Sequence, residues 1–303
     1  MSKTVAIFEP IYAADQALTC AEFLPLVRVD NSRPEWREFK ILIDMYRNGD
    51  HLRHDYTGLF SPKFTLKSRI SGARFLEFVQ SHPDSDICFT NPFPQLAYWS
   101  YNVWMQGEQA HPGLTHSTQA LLDASGLDWT IADTPRHGPA SLAYCNFWVG
   151  SPRFWDEYVG GTLLPIADFL EANPSHTAAR AVMLDTTHTD PAPFLPFIVE
   201  RLFSTYISLH PEVSRAAYPF SAQEVRDYCI NDFEKLLFEC MRAKVDEADA
   251  SGVFGQELVD QMDTVCALWQ QHFFDFYAMR PHPHTGQPVR LDANRGRHPQ
   301  TGA

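Results

Sequence analysis

The residues best placed to do chemistry are six cations between Arg47 and Arg74, namely Arg47, Arg53, Lys63, Lys67, Arg69 and Arg74, set against only Asp50 and Asp55. This stretch carries +4 within a chain whose net charge is −13, so the remainder carries −17. Such an island is either a solvated face paired with acidic neighbours or a seat for a small phosphorylated ligand. In the second case Lys63 and Lys67 neutralise oxygens as point charges, and the planar fork of Arg69 chelates them.

A second grouping is the aromatic block Tyr98, Trp99, Tyr101 and Trp104, followed by Gln106-Gly-Glu-Gln-Ala-His-Pro-Gly. Flat rings beside amide and carboxylate groups make a sugar platform, because a pyranose offers an apolar C–H face for stacking and hydroxyls for hydrogen bonding. There Glu108 or His111 would serve as a base; otherwise the rings are core and the segment is a loop. Glu200-Arg201 interrupts the apolar run Pro196 to Ile207. Charges in a mostly buried helix need partners, so the glutamate is expected to face a site and the arginine to meet it, a phosphate or another acid.

Asp84-Ser85-Asp86 has the DxD form by which sugar-nucleotide enzymes hold a divalent metal on a diphosphate. It precedes an apolar strand instead of following one, so a solvated helix-to-strand loop is expected, and that strand's ligand end would present Thr90 and Asn91. His51 and His54 have metal-like spacing without a completing pair. No metal ligands are therefore assigned. The sequence contains no GxSxG, P-loop or GxGxxG, so serine-hydrolase, nucleotide-triphosphatase and classical dinucleotide readings lack their parts.

The elements that must position these groups follow from periodicity. Thr4 to Phe8 and Asp86 to Thr90 read as buried strands, as do Trp129 to Ala132 and Ala143 to Gly150. Helical spacing marks 33–47, 72–80, 115–125, a start at 152, 194–209 and 256–277. Ser221 with Glu224 forms a capping box ahead of one amphipathic helix running to Met241. Strands separated by helices, then a helical third, give an α/β fold with a mixed or parallel sheet flanked by helices and a helical C-terminal extension. The expected division is 1–215 as a ligand-binding catalytic domain, 216–280 as helices packed on it, and 281–303 as a disordered tail.

The acidic balance excludes the phosphate-neutralising field of a nucleic-acid binder. Six scattered cysteines without CxxC suit a reducing compartment, and no apolar stretch approaches a membrane span. A cytoplasmic location is expected.

Five segments stand in order along the chain: Val5-Ala-Ile-Phe-Glu-Pro-Ile-Tyr12, Tyr56-Thr-Gly-Leu-Phe-Ser-Pro-Lys-Phe64, Asp86-Ile-Cys-Phe-Thr-Asn-Pro92, Ala143-Tyr-Cys-Asn-Phe-Trp-Val-Gly150 with Phe154-Trp155, and Val199-Glu-Arg-Leu-Phe-Ser-Thr-Tyr206. Together they resemble bacterial glycosyltransferases and glycosyltransferase-like proteins of capsule, O-antigen and exopolysaccharide clusters. The resemblance spans residues 5 to about 206. It implies a GT-A-like fold and transfer of a hexose from a nucleotide-sugar donor, a substrate and not a tightly bound cofactor, to a saccharide or lipid-linked glycan. Lys63, Lys67 and Arg201 would then stabilise the departing diphosphate, Asn91 and Asn146 would bind ribose or sugar hydroxyls, and Glu108 would be the base of an inverting reaction. The missing strand-end DxD leaves the need for Mn or Mg open, and a lipid-linked acceptor would bring the protein to the inner face of the membrane. Two rival expectations are a non-catalytic carbohydrate- or nucleotide-binding scaffold and a hydrolase using Glu108 with Glu200.

Overall fold

The computed structural model describes residues 3–28, 32–186, 192–282 and 288. All but three residues of the expected tail, 281–303, lie outside them. The strands are β1 (Val5–Ile11), β2 (Leu24–Val27), β3 (Tyr56–Leu59), β4 (Ile87–Phe89), β5 (Trp148–Gly150), β6 (Asp185–Thr186), β7 (Ala192–Pro193) and β8 (Arg215–Ala217). Six form one sheet in the order β2-β1-β3-β5-β4-β8, parallel except for β5, which runs antiparallel to both neighbours; β6 and β7 pair separately. Gly58 lets β3 approach β5, because a Cβ there would stand 2.6 Å from the Trp148 carbonyl oxygen.

Helices cover both faces. The first five are α1 (Glu38–Arg47), α2 (Phe64–Ser68), α3 (Gly72–Gln80), α4 (Val103–Ala110) and α5 (Leu114–Ala124). One continuous run follows, made of α6 (Pro152–Phe154), a π-helical stretch Trp155–Leu163 and α7 (Leu164–Ala172). The rest are α8 (Thr177–Val182), α9 (Phe194–Leu209), α10 (Ala222–Tyr228), α11 (Asp232–Ser251) and α12 (Gln256–Ala278).

Strand side chains alternate between two cores. Ile87, Phe89 and Trp148 join the larger, with α1, α9 and the π-helical run, whereas Cys88, Phe147 and Val149 join the smaller, under α2 and α3. Leu237, Met241, Met262 and Trp269 belong to the larger core too, so the C-terminal helices share it with the sheet. The expected boundary after residue 215 falls inside β8, which pairs with β4.

Trp129 to Ala132 is not a strand: Ile131–Asp133 makes a 3₁₀ turn, held by Gln119, whose side chain accepts from the Ile131 N–H and donates to the Trp129 carbonyl. The run from Ser221 is two helices, α10 keeping the expected capping box and α11 starting afresh on an Asn231 cap that accepts from the Glu234 N–H. Among the described residues no helix is long and apolar enough to cross a membrane.

Candidate functional site

The parallel strands β1, β3 and β4 all deliver their carboxyl ends to one cavity of about 690 Å3. In open α/β sheets that edge is where ligands bind. The exit of β1 contributes Tyr12, the turn after β3 contributes Ser61 and Lys63, and the turn after β4 contributes Phe93 and Gln95. The segment entering β5 adds Tyr144, Cys145 and Asn146, α9 adds Glu200 and Arg201, and α11 and α12 close the space with Glu234, Trp269 and Phe273.

The polar wall is built around Lys67. Its ammonium donates to Cys145 Sγ at 3.1 Å. Burial works to discharge it, yet Cys145, Glu200 and Glu38 together hold its pKa above the ordinary lysine value. Burial also pushes the Cys145 thiol up to about 12, so at pH 7 that sulfur is neutral and the compensating charge comes from Glu200 and Glu38. Glu200 is fixed in turn by the Cys145 backbone N–H, which donates to its Oε1 at 2.5 Å.

Cys145 (φ 66°) and Asn146 (φ 52°) lie in the left-handed region in succession. For a residue such as cysteine this costs about 1–2 kcal/mol, and less for asparagine, and such strain gathers at functional sites. Tyr144 Oη, Asn146 Oδ1 and Gln95 Oε1 are buried without a hydrogen-bond partner, all in residues of the cavity wall.

Another part of the lining is aromatic. Trp269, Phe273, Phe274 and Tyr277 come from α12, and Phe197 from α9 stacks at 4.0 Å on His111. His111 is 6% exposed and its Nδ1 meets Thr186 Oγ1 at 3.2 Å. Glu234, at 1% exposure, accepts from Trp269 Nε1 and the Ile230 N–H, both at 2.8 Å. Burial raises its pKa against those two donors. Neither Glu234 nor the α12 rings emerged from the sequence as site residues; residues 256–277 are marked there only by their helical spacing.

Of the expected site residues, Lys63, Lys67, His111, Asn146, Glu200 and Arg201 meet in this cavity. Three do not. Glu108 turns its carboxylate away to the start of α5, accepting from the Gly113 N–H (2.6 Å), the Thr115 N–H (3.0 Å) and the Thr115 hydroxyl (2.6 Å). Asn91 spends its side chain on its own turn, accepting from the Phe93 N–H and donating to the Phe93 carbonyl. Arg69 sits in a separate recess of about 180 Å3, stacked over Tyr228 and donating to the Asp227 carbonyl.

Of the two readings of the aromatic block, the core one holds, since Tyr98, Trp99 and Trp104 are buried, at 8%, 0% and 3% exposure. Asp86 precedes β4 as expected and accepts from the Ser214 N–H. His51 is stacked between Tyr46 and Trp155, and among the described residues no group of three or more His, Cys, Asp or Glu side chains could hold a metal ion. No protein family, no curated protein and no solved structure matches this chain.

Proposed function

We propose that the protein is a glycosyltransferase that moves a sugar from a nucleotide-sugar donor to a hydroxyl of a saccharide or lipid-linked glycan, in the synthesis of bacterial surface or secreted polysaccharide. The observation that carries the reading is the cavity at the carboxyl edge of β1, β3 and β4, with Lys63 and Lys67 on one wall and the α12 rings on another. A mixed sheet with its ligand space at that edge also supports a GT-A-like fold.

In this reading Lys63 and Lys67 hold the oxygens of the diphosphate, whose negative charge grows as it leaves. The aromatic wall receives the C–H face of a sugar ring. The acceptor oxygen forms a bond to the anomeric carbon as the bond from that carbon to the diphosphate breaks. Glu200, which shares the cavity with Lys67, takes the acceptor hydroxyl proton. His111, stacked on Phe197 in the cavity lining, positions the acceptor.

Incubation with a panel of nucleotide sugars, with and without manganese and with and without glycan acceptors, tests this. The expected result is slow release of free sugar from one donor class, which stops on Glu200→Gln substitution. Binding of a nucleotide sugar with no turnover under any condition would instead make the protein a scaffold.

A further inference from the structure

Arg201 is a buried cation to which the described residues supply no ion-paired anion. It is 3% exposed, and among the described residues it forms no ion pair. Its hydrogen bonds go to neutral acceptors: Nε to the Val103 carbonyl (3.1 Å), Nη1 to the Phe197 carbonyl (2.9 Å) and Nη2 to Gln106 Oε1 (2.6 Å). A guanidinium has five N–H groups, so two remain. A buried charge without a countercharge is expensive.

Elsewhere this chain answers a buried guanidinium with a carboxylate. Arg136, whose side chain is 10% exposed, is met by both oxygens of Asp249 at 3.1 Å. Lys67 has Glu200 close by. Glu200 is next to Arg201 in sequence, but successive helical residues point about 100° apart, and its Oε1 is turned to Cys145.

The unanswered guanidinium lies on the cavity wall, 5.7 Å from the centre of the Tyr144 ring, and the Tyr144 hydroxyl is itself buried without a partner. The cavity therefore has two cationic poles held by different elements, Lys63 and Lys67 on the β3–α2 side and Arg201 on α9. One of them is left over after a diphosphate is placed.

We propose that Arg201, with the Tyr144 hydroxyl beside it, recognises a carboxylate on the sugar, so that the substrate is an acidic saccharide of the hexuronate type. This rests on the glycosyl-transfer reading. The two remaining N–H groups of Arg201 match the two oxygens of a planar carboxylate, the arrangement for which arginine is favoured over lysine. A neutral hexose would leave the cation uncompensated, and so be disfavoured by the protein's own desolvation cost.

The test compares binding of UDP-glucuronate with UDP-glucose and GDP-mannuronate with GDP-mannose by calorimetry, and of free glucuronate, glucose and glucose 6-phosphate by ligand-observed NMR. The expected result is at least tenfold tighter binding of the acidic member of one nucleotide pair, and of glucuronate over both glucose and its phosphate. Arg201→Met should abolish the preference and Tyr144→Phe should reduce it several-fold. Should Arg201→Met not fold, the parent ratios and Tyr144→Phe still decide.

Equal binding of acidic and neutral members, preference for the 6-phosphate, or a preference that survives in Arg201→Met would overturn the proposal. Nucleotide sugars binding without regard to the carboxylate would leave the transferase reading standing. Free glucuronate binding through Arg201 while every nucleotide sugar fails would have the opposite effect, removing that reading and keeping the acid site.

Discussion

Replacing Glu108 by alanine separates a structural carboxylate from a catalytic one. Helix α5 starts at Gly113, which offers no capping side chain, and Glu108 reaches across from α4 to supply the missing acceptor to two backbone N–H groups and one hydroxyl. Loss of a cap costs about 1 kcal/mol, and loss of hydrogen bonds to a charged acceptor at a helix N-terminus adds about 1 kcal/mol more. A total of about 2 kcal/mol lowers the Tm of a chain of this length by about 3 °C.

Scanning calorimetry of Glu108→Ala reads that shift, and donor turnover well below the Tm reads the chemistry. The structure predicts the shift with turnover unchanged, because the carboxylate is outside the cavity. A general base would instead contribute a factor of about 10² to 10⁴. A drop of that order in folded Glu108→Ala, with little change in Tm, would refute the placement.

Gly107 packs so closely on Arg201 that a Cβ would stand 2.5 Å from its Nε and 2.7 Å from Leu114 Cδ2. Gly107→Ala should therefore destabilise by about 1–3 kcal/mol and weaken binding of an acidic sugar more than binding of its nucleoside diphosphate; equal losses of both would contradict this. His137 is fully buried, accepts from the Val103 N–H through Nδ1 and meets the Ser208 hydroxyl through Nε2. Burial, with the nearby Arg136 charge, holds its pKa down to about 3. The unfolded chain binds a proton near pH 6.5 that the folded chain refuses, so stability is full above that pH and falls by about 1.4 kcal/mol per unit as pH drops below it. His137→Asn should flatten the Tm profile between pH 6.5 and 5, and parallel profiles for the two proteins would count against the assignment.

What could be read in the sequence was what local pattern decides. β1 is a β-branched apolar run, α3 and α9 show helical spacing, and Ser221 with Glu224 is a cap whose two hydrogen bonds lie within four residues. β2 and β8 escaped because each is short, partly exposed and defined by its neighbour in the sheet, not by its own residues. The cationic island was visible as charge, but Arg69 ends α2 in the left-handed conformation, which turns it toward Tyr228 and away from Lys67.

The aromatic block was open to both readings for a related reason. Rings suited to a sugar are equally suited to a core, and only tertiary packing put Trp99 inside while leaving Phe273 on the cavity wall. The left-handed pair Cys145 and Asn146 had no signal beyond the modest tolerance of asparagine for that conformation.

Calorimetric titration of nucleoside diphosphates into the parent and into Lys63→Ala/Lys67→Ala is the most direct measurement of the account as a whole. A charge-assisted hydrogen bond to an oxyanion is worth about 1.5–3 kcal/mol, so the nucleoside diphosphate that binds the parent should bind the double variant at least tenfold more weakly, while the corresponding nucleoside is unaffected. Unchanged affinity for every nucleoside diphosphate that binds the parent would contradict the claim that these lysines grip a diphosphate.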